Sequence, residues 1–431
     1  MASFHRLRIA RGAAVPDFLA DSNFSAAFLG KVDSRGMSRP FAVGNSLSWE
    51  RNEFCKIEER WVRVSVPSMG YVVIDLDSKT PDYFAPAASS TQLENDILRV
   101  RFNADGSLAS VFDKEHGREA LAAGGGGNRL AVYHDPGHAW DFPMDFDQRP
   151  PEFFVLKAAE AGVDGPRAWV RQTYDYGASV LTQEVSLVAG SRRLDFRTEV
   201  DWRESERMLR TSFPVAVQAD DAVCEIQFGN IRRPTHRNTS WDKAKFEVCC
   251  HKWMDLSDCG YGVAVLNNGK YGHKALENVL DINLLRSPGY PDPTADRALH
   301  EFAYSLYPHA GDYGEGGVIR AAYELNVPLR VTALSPSTGS LPGRGSFLSI
   351  DAPNVVIESV KKAEDSEVLI MRLYEAHGSS TVAELRLAYP QAKVDLVDLL
   401  EEHPLPLDVC QGRLMLGFKP FEIHTLKITP P

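Results

Sequence analysis

The chain has 431 residues, more than a single hydrophobic core usually supports, so several domains are expected. Hydrophobic residues make up 44% and charged residues 24%, as in ordinary soluble globular proteins. The formal net charge of −11 argues against nucleic acids and anionic membrane surfaces as partners, because both are themselves negatively charged.

The six cysteines include no Cys-x-x-Cys pair, and Cys249 and Cys250 are adjacent. So few cysteines in so long a chain do not suggest a disulfide framework, and they favour a reducing compartment. The N-terminal segment lacks the apolar core of a secretory signal, and no run of about 18 apolar residues could span a membrane. We therefore expect a cytoplasmic protein that binds neither a membrane nor a nucleic acid.

The first part of the chain changes from an irregular segment to short strands. Residues 1–38 lack a sustained period and are interpreted as a tail. Residues 39–86 are expected to form a small β-domain, because residues 61–66 alternate between apolar and polar types and residues 71–76 form an apolar run of strand length. Residues 81–90 have the composition of a linker.

Residues 87–334 carry the clearest strand signals. Residues 93–114 predict a hairpin that turns at Asp105-Gly106, because glycine tolerates a positive φ. Residues 192–203 alternate apolar with charged side chains, which predicts a strand with one buried and one solvated face. Residues 267–269, Asn-Asn-Gly, predict a second tight turn.

Residues 335–431 are expected to form a C-terminal β-sandwich, after a linker at residues 334–344. Strands are predicted there at residues 346–350, 355–360, 368–374, 382–387, 394–398 and 421–428. Almost no segment of the chain shows an extended helical period. Many short strands, with Gly, Pro and Asn turns and no alternation of strands with helices, indicate an all-β protein built from sandwiches.

Residues 232–255 are unusually rich in side chains that form hydrogen bonds or stack. Such a density of hydrogen-bonding and stacking groups suits recognition of a polyhydroxylated ligand. A tryptophan precedes an aspartate at Trp140-Asp141 and again at Trp241-Asp242, which suits a sugar because the ring packs on C–H groups while the acid accepts hydroxyls. The alternative is a core tryptophan beside an exposed charge, since tryptophan is usually largely buried.

Two pairs of carboxylates could act on a glycosidic bond, namely Asp141 with Asp145 and Asp292 with Asp296. Retaining hydrolysis needs two carboxyl groups about 5–5.5 Å apart, and either pair could equally bind hydroxyls or an arginine. Residues 134–138, His-Asp-Pro-Gly-His, could bring two imidazoles to one metal ion. Their spacing matches no strong zinc pattern, so we interpret them as a surface loop.

Several stretches carry a family resemblance, and the most specific are residues 228–272 and 284–309. Shorter similar stretches lie at residues 41–53, 93–119, 128–142 and 191–202. From about Phe41 to its end, the chain resembles the C-terminal half of the α-mannosidases of glycoside hydrolase family 38, particularly the cytosolic/vacuolar and bacterial type. The resemblance implies an all-β fold with a large antiparallel supersandwich, of the galactose mutarotase type, flanked by smaller β-sandwich domains.

In that family an N-terminal α/β barrel and a helical bundle carry the nucleophilic aspartate and the zinc ligands. Nothing before Phe41 resembles either unit, so we expect a chain that lacks the catalytic barrel. The resemblance then implies that this chain has no catalytic residue, metal site or cofactor, and that zinc belongs to the missing catalytic domain. The expected partners are α-mannosides and the catalytic barrel, and formation of a homo-oligomer stays open.

Substrate-binding candidates are carried over only where the sequence matches the family. Arg286 matches the place where the family presents an arginine toward the substrate region. The other candidates are Asp292, Asp296 and His300 from the same match, His236, Arg237, Asn238 and Trp241 from the central motif, and Trp140 with Asp141. Whether the central motif contacts sugar or braces the barrel is left open, because arginine and tryptophan suit both roles.

Three functions are compatible with the sequence. The first is the scaffold and carbohydrate-binding part of a retaining α-mannosidase, which contributes cleft-wall residues and is inactive in isolation. The second is a stand-alone carbohydrate-binding module that uses the Trp140 and Trp241 surface. The third is a mutarotase-like sugar isomerase, whose acid–base pair would have to come from His236, His300 and Glu301.

Overall fold

The computed structural model describes residues 30–78, 81–124 and 126–430. Contacts divide the chain into two compact units, Asp82–Asn326 and a second unit that joins Met1–Pro81 to Val327–Pro431. The first 29 residues of the predicted tail lie outside the described residues. The finer boundaries proposed from the sequence, at 39–86, 87–334 and 335–431, stay predictions.

The described residues consist mainly of short strands. The N-terminal strands are β1 Pro40–Asn45, β2 Arg51–Ile57, β3 Arg60–Val66 and β4 Gly70–Asp75. The central strands are β5 Ala87–Ser89, β6 Gln92–Glu94, β7 Leu98–Phe102, β8 Leu108–Asp113, β9 Arg118–Glu119, β10 Ala131–His134, β11 Glu152–Phe153, β12 Val155–Asp164, β13 Arg167–Tyr176, β14 Ser179–Val188, β15 Leu194–Asp201, β16 Arg207–Pro214, β17 Asp221–Ile226, β18 Gly229–Pro234, β19 Val248–Cys249, β20 Trp253–Ser257, β21 Tyr261–Asn267, β22 Gly272–Leu276, β23 Val279–Ser287 and β24 Leu299–Ala310. The C-terminal strands are β25 Arg330–Ala333, β26 Arg344–Ser346, β27 Leu348–Ile350, β28 Val355–Lys362, β29 Leu369–Glu375, β30 Thr381–Leu387, β31 Lys393–Val397, β32 Leu405–Leu407, β33 Arg413–Phe418 and β34 Ile423–Thr429.

The unit Asp82–Asn326 is a large antiparallel sandwich. A nine-stranded sheet has the order β12-β13-β14-β15-β24-β21-β20-β17-β18, and a six-stranded sheet has the order β11-β10-β16-β23-β22-β19. A five-stranded sheet contains β5 to β9. Side chains of all three sheets share one buried core, to which the sheets contribute Leu181, Phe196, Leu306, Leu209, Phe213, Ile282, Val100 and Val111. The predicted all-β supersandwich is therefore confirmed.

Strand β15 has the two faces that its alternation predicts. Leu194, Phe196 and Val200 are fully buried, whereas Arg197 and Glu199 are exposed. Successive side chains of a strand point to opposite faces of the sheet. A regular row of charged side chains on one face therefore indicates that this face meets solvent. The nine-stranded sheet thus buries a single face at this strand.

The Asp105-Gly106 turn also forms where the sequence predicts it. Gly106 has φ +85°, a left-handed backbone that favours glycine. A β-carbon at this position would collide with the hydroxyl of Tyr174, whose side chain is buried. Position 106 therefore requires glycine for two reasons, its positive φ and its close approach to strand β13.

A group of polar side chains is buried inside the large sandwich. The Asn128 amide donates to Gln183 Oε1 at 2.6 Å, and Gln183 Nε2 donates to the hydroxyls of Tyr304 at 2.8 Å and Thr198 at 2.9 Å. The Tyr304 hydroxyl closes the ring by donating to Asn128 Oδ1 at 2.6 Å. These four side chains are at most 2% exposed, so the network satisfies polar groups that would otherwise destabilise the core.

The second unit contains smaller antiparallel sheets. Their orders are β25-β1-β4-β26, β2-β3, β27-β30-β33 and β28-β29-β34-β31-β32. The last two sheets pack their apolar faces on a shared core that includes Val355, Leu373, Leu385, Leu416 and Leu426. This unit therefore contains a smaller β-sandwich, as the predicted fold class requires.

Glu375 organises one end of this smaller sandwich although it is fully buried. Its carboxylate accepts hydrogen bonds from the backbone of His377, Gly378, Ser379 and Phe421, at 2.7 to 3.1 Å. Burial raises the pKa of Glu375, but these bonds outweigh it and hold the pKa below its ordinary value. The ionised carboxylate therefore fixes two turns that are distant in sequence.

The helices are short, and one of them was not predicted from the sequence. Helix α1 spans Ser240–Ala244, helix α2 spans Val318–Asn326, and Phe146–Gln148 form a 3-10 turn. Helix α2 was not predicted, although Val318, Ile319, Ala321, Ala322 and Tyr323 are buried at helical spacing. Among the described residues, no helix has the length and apolar character needed to cross a bilayer.

Candidate functional site

Two loops leave the six-stranded sheet at the same edge. Strands β10 and β23 both pair antiparallel with β16, so they run in the same direction. Their last residues, His134 and Ser287, both lie opposite Arg207 at the start of β16. Residues 135–151 and 288–298 therefore emerge side by side, and they contain four of the ten substrate-binding candidates, namely Trp140, Asp141, Asp292 and Asp296.

Arg286, near the end of β23, holds the first of these loops. Its Nε donates to Asp135 Oδ2 at 2.7 Å, and its Nη2 donates to Asp135 Oδ1 at 3.0 Å. The same Nη2 donates to the carbonyls of His138 at 3.1 Å and Asp141 at 3.0 Å. The guanidinium also lies 4.7 Å from the ring centre of Phe142. We call this arrangement the Arg286 clamp, since it holds residues 135–142 in one conformation.

The clamp presents exposed aromatic rings. Trp140 is 70% exposed and Tyr290, from the neighbouring loop, is 63% exposed. Their ring centres are 5.8 Å apart, and the ring centre of His138 lies 5.5 Å from that of Trp140. The backbone N–H of Ala139 donates to the Tyr290 carbonyl at 2.9 Å, which ties the loops together. The sequence analysis missed Tyr290, whose only signal was its position between Gly289 and Pro291.

Further along the first loop, Phe146 and Asp147 form a second anchor. Phe146 is buried, and the cationic groups of Arg210 and Lys274 lie 5.0 and 5.1 Å from its ring centre. Asp147 Oδ2 accepts from Lys274 at 3.1 Å and from Arg237 at 3.4 Å. Burial raises the pKa of Asp147, but these two cations offset it and hold the pKa below its ordinary value.

Arg210 belongs to a buried ion cluster beneath this anchor. It is fully buried, and it donates to Asp281 at 2.6 Å and to both oxygens of Glu247 at 2.9 and 3.0 Å. Burial lowers the pKa of Arg210, but the two carboxylates more than reverse the effect and raise it. Since removal of one partner from a buried ion pair leaves an uncompensated charge, the cluster stabilises the underside of the loop only as a complete set.

Residues of the central motif, 232–255, lie partly at this anchor and partly on the surface. Arg237 contacts Asp147 and so braces the first loop. Trp241 is 81% exposed on helix α1, whose start is stabilised by reciprocal hydrogen bonds between Thr239 and Asp242. His236 Nδ1 lies 3.5 Å from the Asn238 backbone nitrogen and 3.6 Å from Asp242 Oδ2.

The remaining candidates lie on the second loop and on β24. Asp292 Oδ1 accepts from the backbone N–H and the hydroxyl of Thr294, both at 2.8 Å, and these bonds lower the pKa of this exposed aspartate. His300 Nε2 lies 2.7 Å from the backbone carbonyl oxygen of Asp296. His300 and Glu301 are consecutive in strand β24, so their side chains lie on opposite faces of the sheet.

The structure thus brings together Arg286, Trp140 and Asp141, and it places Tyr290 and Asp135 with them. Arg237 joins the same loop at its other end. Within the described ranges, no hydrogen bond, ion pair or ring contact connects Trp241 to Trp140. Whether any of these residues binds substrate stays a prediction.

The described residues offer poor sites for a zinc ion. Among the described residues, three potential ligand atoms lie within 4.8 Å of one another at Asp113, Glu115 and His116 and at Asp398, Glu402 and His403. Asp113 already accepts from Arg192 at 3.1 Å, and the second group is exposed. Asp135, in the His-Asp-Pro-Gly-His loop, has both oxygens occupied by Arg286. These donor sets do not resemble a closed structural zinc site of His and Cys ligands.

Two segments of the chain match one family of glycoside-cleaving enzymes. Residues 93–294 match the "Glycosyl hydrolases family 38 C-terminal domain", and residues 354–426 match the "Glycosyl hydrolases family 38 C-terminal beta sandwich domain". The first segment contains the Arg286 clamp and both exposed rings. Together the two matches cover more than half of the chain.

Two relatives match nearly the whole chain. Alpha-mannosidase 2C1 of Mus musculus is 38% identical over 420 residues, and the match covers 90% of this chain and 40% of the relative. Alpha-mannosidase 2C1 of Homo sapiens is 39% identical over 417 residues, with the same two coverages. The chain therefore spans about 40% of the length of these relatives.

A solved structure shares the fold. The crystal structure of an alpha-mannosidase from Enterococcus faecalis V583 matches with a TM-score of 0.74 at 16% sequence identity. The match covers 90% of this chain and 56% of that chain. The chain therefore shares the fold of part of that alpha-mannosidase. The chain belongs to glycosyl hydrolase family 38, and it corresponds to the C-terminal β-sandwich region of that family.

Proposed function

We propose that this chain is the scaffold and carbohydrate-binding part of a retaining α-mannosidase. The loops at the edge of the six-stranded sheet would form one wall of the substrate cleft, and a catalytic barrel would provide the nucleophile. The observation that carries the proposal is the exposed Trp140–Tyr290 ring pair, held in place by the Arg286 clamp.

The exposed rings have the chemistry that a mannoside requires. A pyranose ring presents C–H groups that pack on an aromatic face, while its hydroxyls need a few placed acceptors and donors. Asp141 is exposed beside Trp140, and it uses Oδ1 to accept the Phe142 backbone N–H at 2.8 Å. Its second oxygen is then available to a hydroxyl. Asp292 lies two residues after Tyr290 and is also exposed.

In the proposed enzyme, the catalytic barrel and this chain would have different roles. The catalytic barrel would hold the zinc ion, which assists an aspartate nucleophile in the double displacement of a retaining hydrolase. This chain's residues would bind and orient the sugar, with Arg286 acting on the loop rather than on the reacting bond. A buried arginine–carboxylate fork is rigid, which suits a residue that positions a binding surface.

Activity and metal content test the first part of the proposal. The purified chain is incubated with an aryl α-mannoside in the presence of zinc, and its metal content is measured after dialysis. We expect no turnover and less than stoichiometric zinc. Turnover that copurifies with the chain through two columns would show that the chain holds its own catalytic groups and would overturn this assignment.

Sugar binding tests the second part. Mannose oligosaccharides are titrated into the chain by calorimetry, for the unchanged protein and for Trp140→Ala and Tyr290→Ala. We expect each substitution to weaken binding about tenfold, which corresponds to ~1.4 kcal/mol. Trp241→Ala is the matched control, since Trp241 is equally exposed but lies on helix α1. If only Trp241→Ala weakens binding, the site belongs to the central motif instead.

The alternative is a stand-alone carbohydrate-binding module. Since it would use the surface of both Trp140 and Trp241, it predicts that Trp241→Ala also weakens sugar binding and that a catalytic barrel added in trans gives no activity. The isomerase hypothesis needs a His/Glu pair on one face, and His300 with Glu301 does not provide it. Failure of the chain to accelerate mannose anomerisation in a polarimeter would end that hypothesis for the remaining pair, His236 with Glu301.

We also propose a cytoplasmic location. All six cysteines are free, including the exposed Cys249, Cys259 and Cys410, which suits a reducing compartment. Fractionation of cells that express the tagged chain, with a cytosolic marker followed in parallel, tests this. Recovery of the chain in a vesicle fraction, protected from added protease, would contradict it.

A further inference from the structure

The two exposed rings at the Arg286 clamp lie in different planes. The ring centres of Trp140 and Tyr290 are 5.8 Å apart, and the ring planes are inclined by 47° to each other. Trp140 is 70% exposed and Tyr290 is 63% exposed, so most of each side chain is open to a ligand. The rings therefore offer two neighbouring stacking surfaces rather than one continuous flat platform.

Each ring is followed in the chain by an exposed aspartate whose carboxylate is oriented by a local hydrogen bond. Asp141 comes directly after Trp140, and its Oδ1 accepts the backbone N–H of the next residue at 2.8 Å. Asp292 comes two residues after Tyr290, and its Oδ1 accepts the backbone N–H of residue 294, also at 2.8 Å. In the described part of the chain, Oδ2 of neither aspartate takes part in a hydrogen bond or an ion pair. The sequence thus repeats a stacking ring with an acceptor for hydroxyls, and we call residues 140–141 the first ring–acid pair and residues 290–292 the second.

The two ring–acid pairs are fixed relative to each other although they lie on different loops. The backbone N–H of the residue before Trp140 donates to the Tyr290 carbonyl at 2.9 Å. Arg286 Nη2 donates to the carbonyls of His138 and Asp141 at 3.1 and 3.0 Å, on either side of the tryptophan. A ligand that spans both pairs therefore meets a preformed surface, and less entropy is lost on binding than with two mobile loops.

One sugar unit cannot use both rings fully. The C–H side of a pyranose packs on one aromatic face, so a unit that lies flat on Trp140 meets the Tyr290 ring at the 47° inclination of the two planes. Two linked units escape this restriction, because rotation about the glycosidic bond inclines one pyranose to the next. Since the ring centres are only 5.8 Å apart, the two units must be consecutive in the glycan.

We infer that this site takes an oligosaccharide with at least two consecutive mannose units, one packed on Trp140 and the next on Tyr290. The inference rests on the proposed function, because it takes the ring pair as the sugar-binding surface. The free oxygens of Asp141 and Asp292 would each accept a hydroxyl of the glycan. The second unit adds its contacts without a second loss of translational freedom, so affinity should rise with the length of the glycan.

Calorimetry with sugars of two lengths tests the inference. Methyl α-mannoside and α-linked mannobioses of different linkage are titrated into the complete chain. We expect the best mannobiose to bind about tenfold more tightly than the monosaccharide, or better. Trp140→Ala and Tyr290→Ala should each bring the two dissociation constants within about threefold of one another, because each leaves a single ring. Tyr290→Phe restores the ring and should restore the preference. Tyr271→Ala removes a tyrosine that is 55% exposed outside both loops, and this control should keep the preference.

Saturation-transfer NMR provides a second measurement that needs no variant. Saturation of the aromatic protons of the unchanged chain should pass to both sugar units of a bound mannobiose. Transfer to one unit only, or equal affinities for the monosaccharide and every mannobiose, would overturn the inference while sugar binding, and with it the proposed function, still stands. A preference for mannobiose that survives both alanine substitutions would also refute it, since the second unit would then lie elsewhere. Failure of every sugar to bind would overturn both the inference and the carbohydrate-binding part of the proposed function.

Discussion

Replacement of Arg286 by alanine should destabilise the large sandwich more than any surface substitution nearby. Asp135 is fully buried, and both of its oxygens accept hydrogen bonds from Arg286. The substitution also removes the donor to the carbonyls of His138 and Asp141. It therefore leaves a buried carboxylate without its counter-charge and frees residues 135–142 from the sheet edge.

The size of this loss of stability can be estimated from the solvent exposure of the Arg286–Asp135 pair. Breaking a buried ion pair by removing one partner costs about 3–5 kcal/mol. The Arg286 side chain is 18% exposed, so water can reach part of the vacated space and we take the lower end, about 3 kcal/mol. Arg286→Lys should recover about half of this, because an ammonium cannot reproduce the planar fork that reaches the carboxylate and both carbonyls.

Urea unfolding followed by tryptophan fluorescence measures this loss, and Asp135→Asn completes a double-mutant cycle. Asparagine removes the charge, so Arg286→Ala should be milder in that background, with a coupling energy of about 1–2 kcal/mol. Limited proteolysis should cut Arg286→Ala between residues 135 and 149 faster than the unchanged chain. A loss below about 1 kcal/mol, together with no coupling, would show that the clamp is an ordinary surface ion pair and would refute the reasoning.

Three further predictions concern the rest of the fold. Because the pKa of Glu375 is lower in the folded state, its ionised form stabilises the fold above the ordinary value of 4.5, and this contribution is lost as the pH falls through the folded pKa. Glu375→Gln should therefore flatten the dependence of unfolding free energy on pH between about 6 and 3, and an unchanged slope would contradict this. Gly106→Ala should cost at least about 2 kcal/mol, because it adds a collision with Tyr174 to the strain of a positive φ. Gly190→Ala, with φ +75° and open space around it, isolates the strain and should cost about 1 kcal/mol in the same denaturation assay; equal losses would exclude the collision. Arg210→Met should lower stability by about 3 kcal/mol or more, because it leaves two carboxylates of a buried cluster unpaired, and a near-normal melting temperature would argue against that cluster.

Local patterns in the sequence predict most of the strands well. The alternation of apolar and charged residues at 192–203 predicts both strand β15 and the face that it buries, because successive side chains of a strand point to opposite faces of the sheet. The predicted strand at residues 346–350 is instead interrupted at Phe347, and the linker at 81–90 contains β5. Both differences involve segments of three residues, which are too short for periodicity to resolve.

The candidate site was only partly predictable, since its geometry depends on partners that are distant in sequence. Arg286 and Asp135 are 151 positions apart, and no local pattern indicates that they meet. The resemblance singled out Arg286 but suggested contact with substrate, whereas the structure shows its Nε and Nη2 engaged with the first loop. Trp140 was named from its neighbour Asp141, but its exposed partner Tyr290 follows only from the pairing of β10 and β23 with β16.

The polar ring inside the large sandwich has a consequence for how the chain folds. Tyr304 reaches Asn128 across 176 positions and Gln183 across 121 positions, so the ring closes only when distant strands have already met. Contacts of such separation form slowly, because the intervening chain must be ordered first. Until then the amides and hydroxyls of the ring are better solvated in water than in a half-formed interior. A collapsed chain that leaves this ring incomplete therefore buries unpaired polar groups and is destabilised by them.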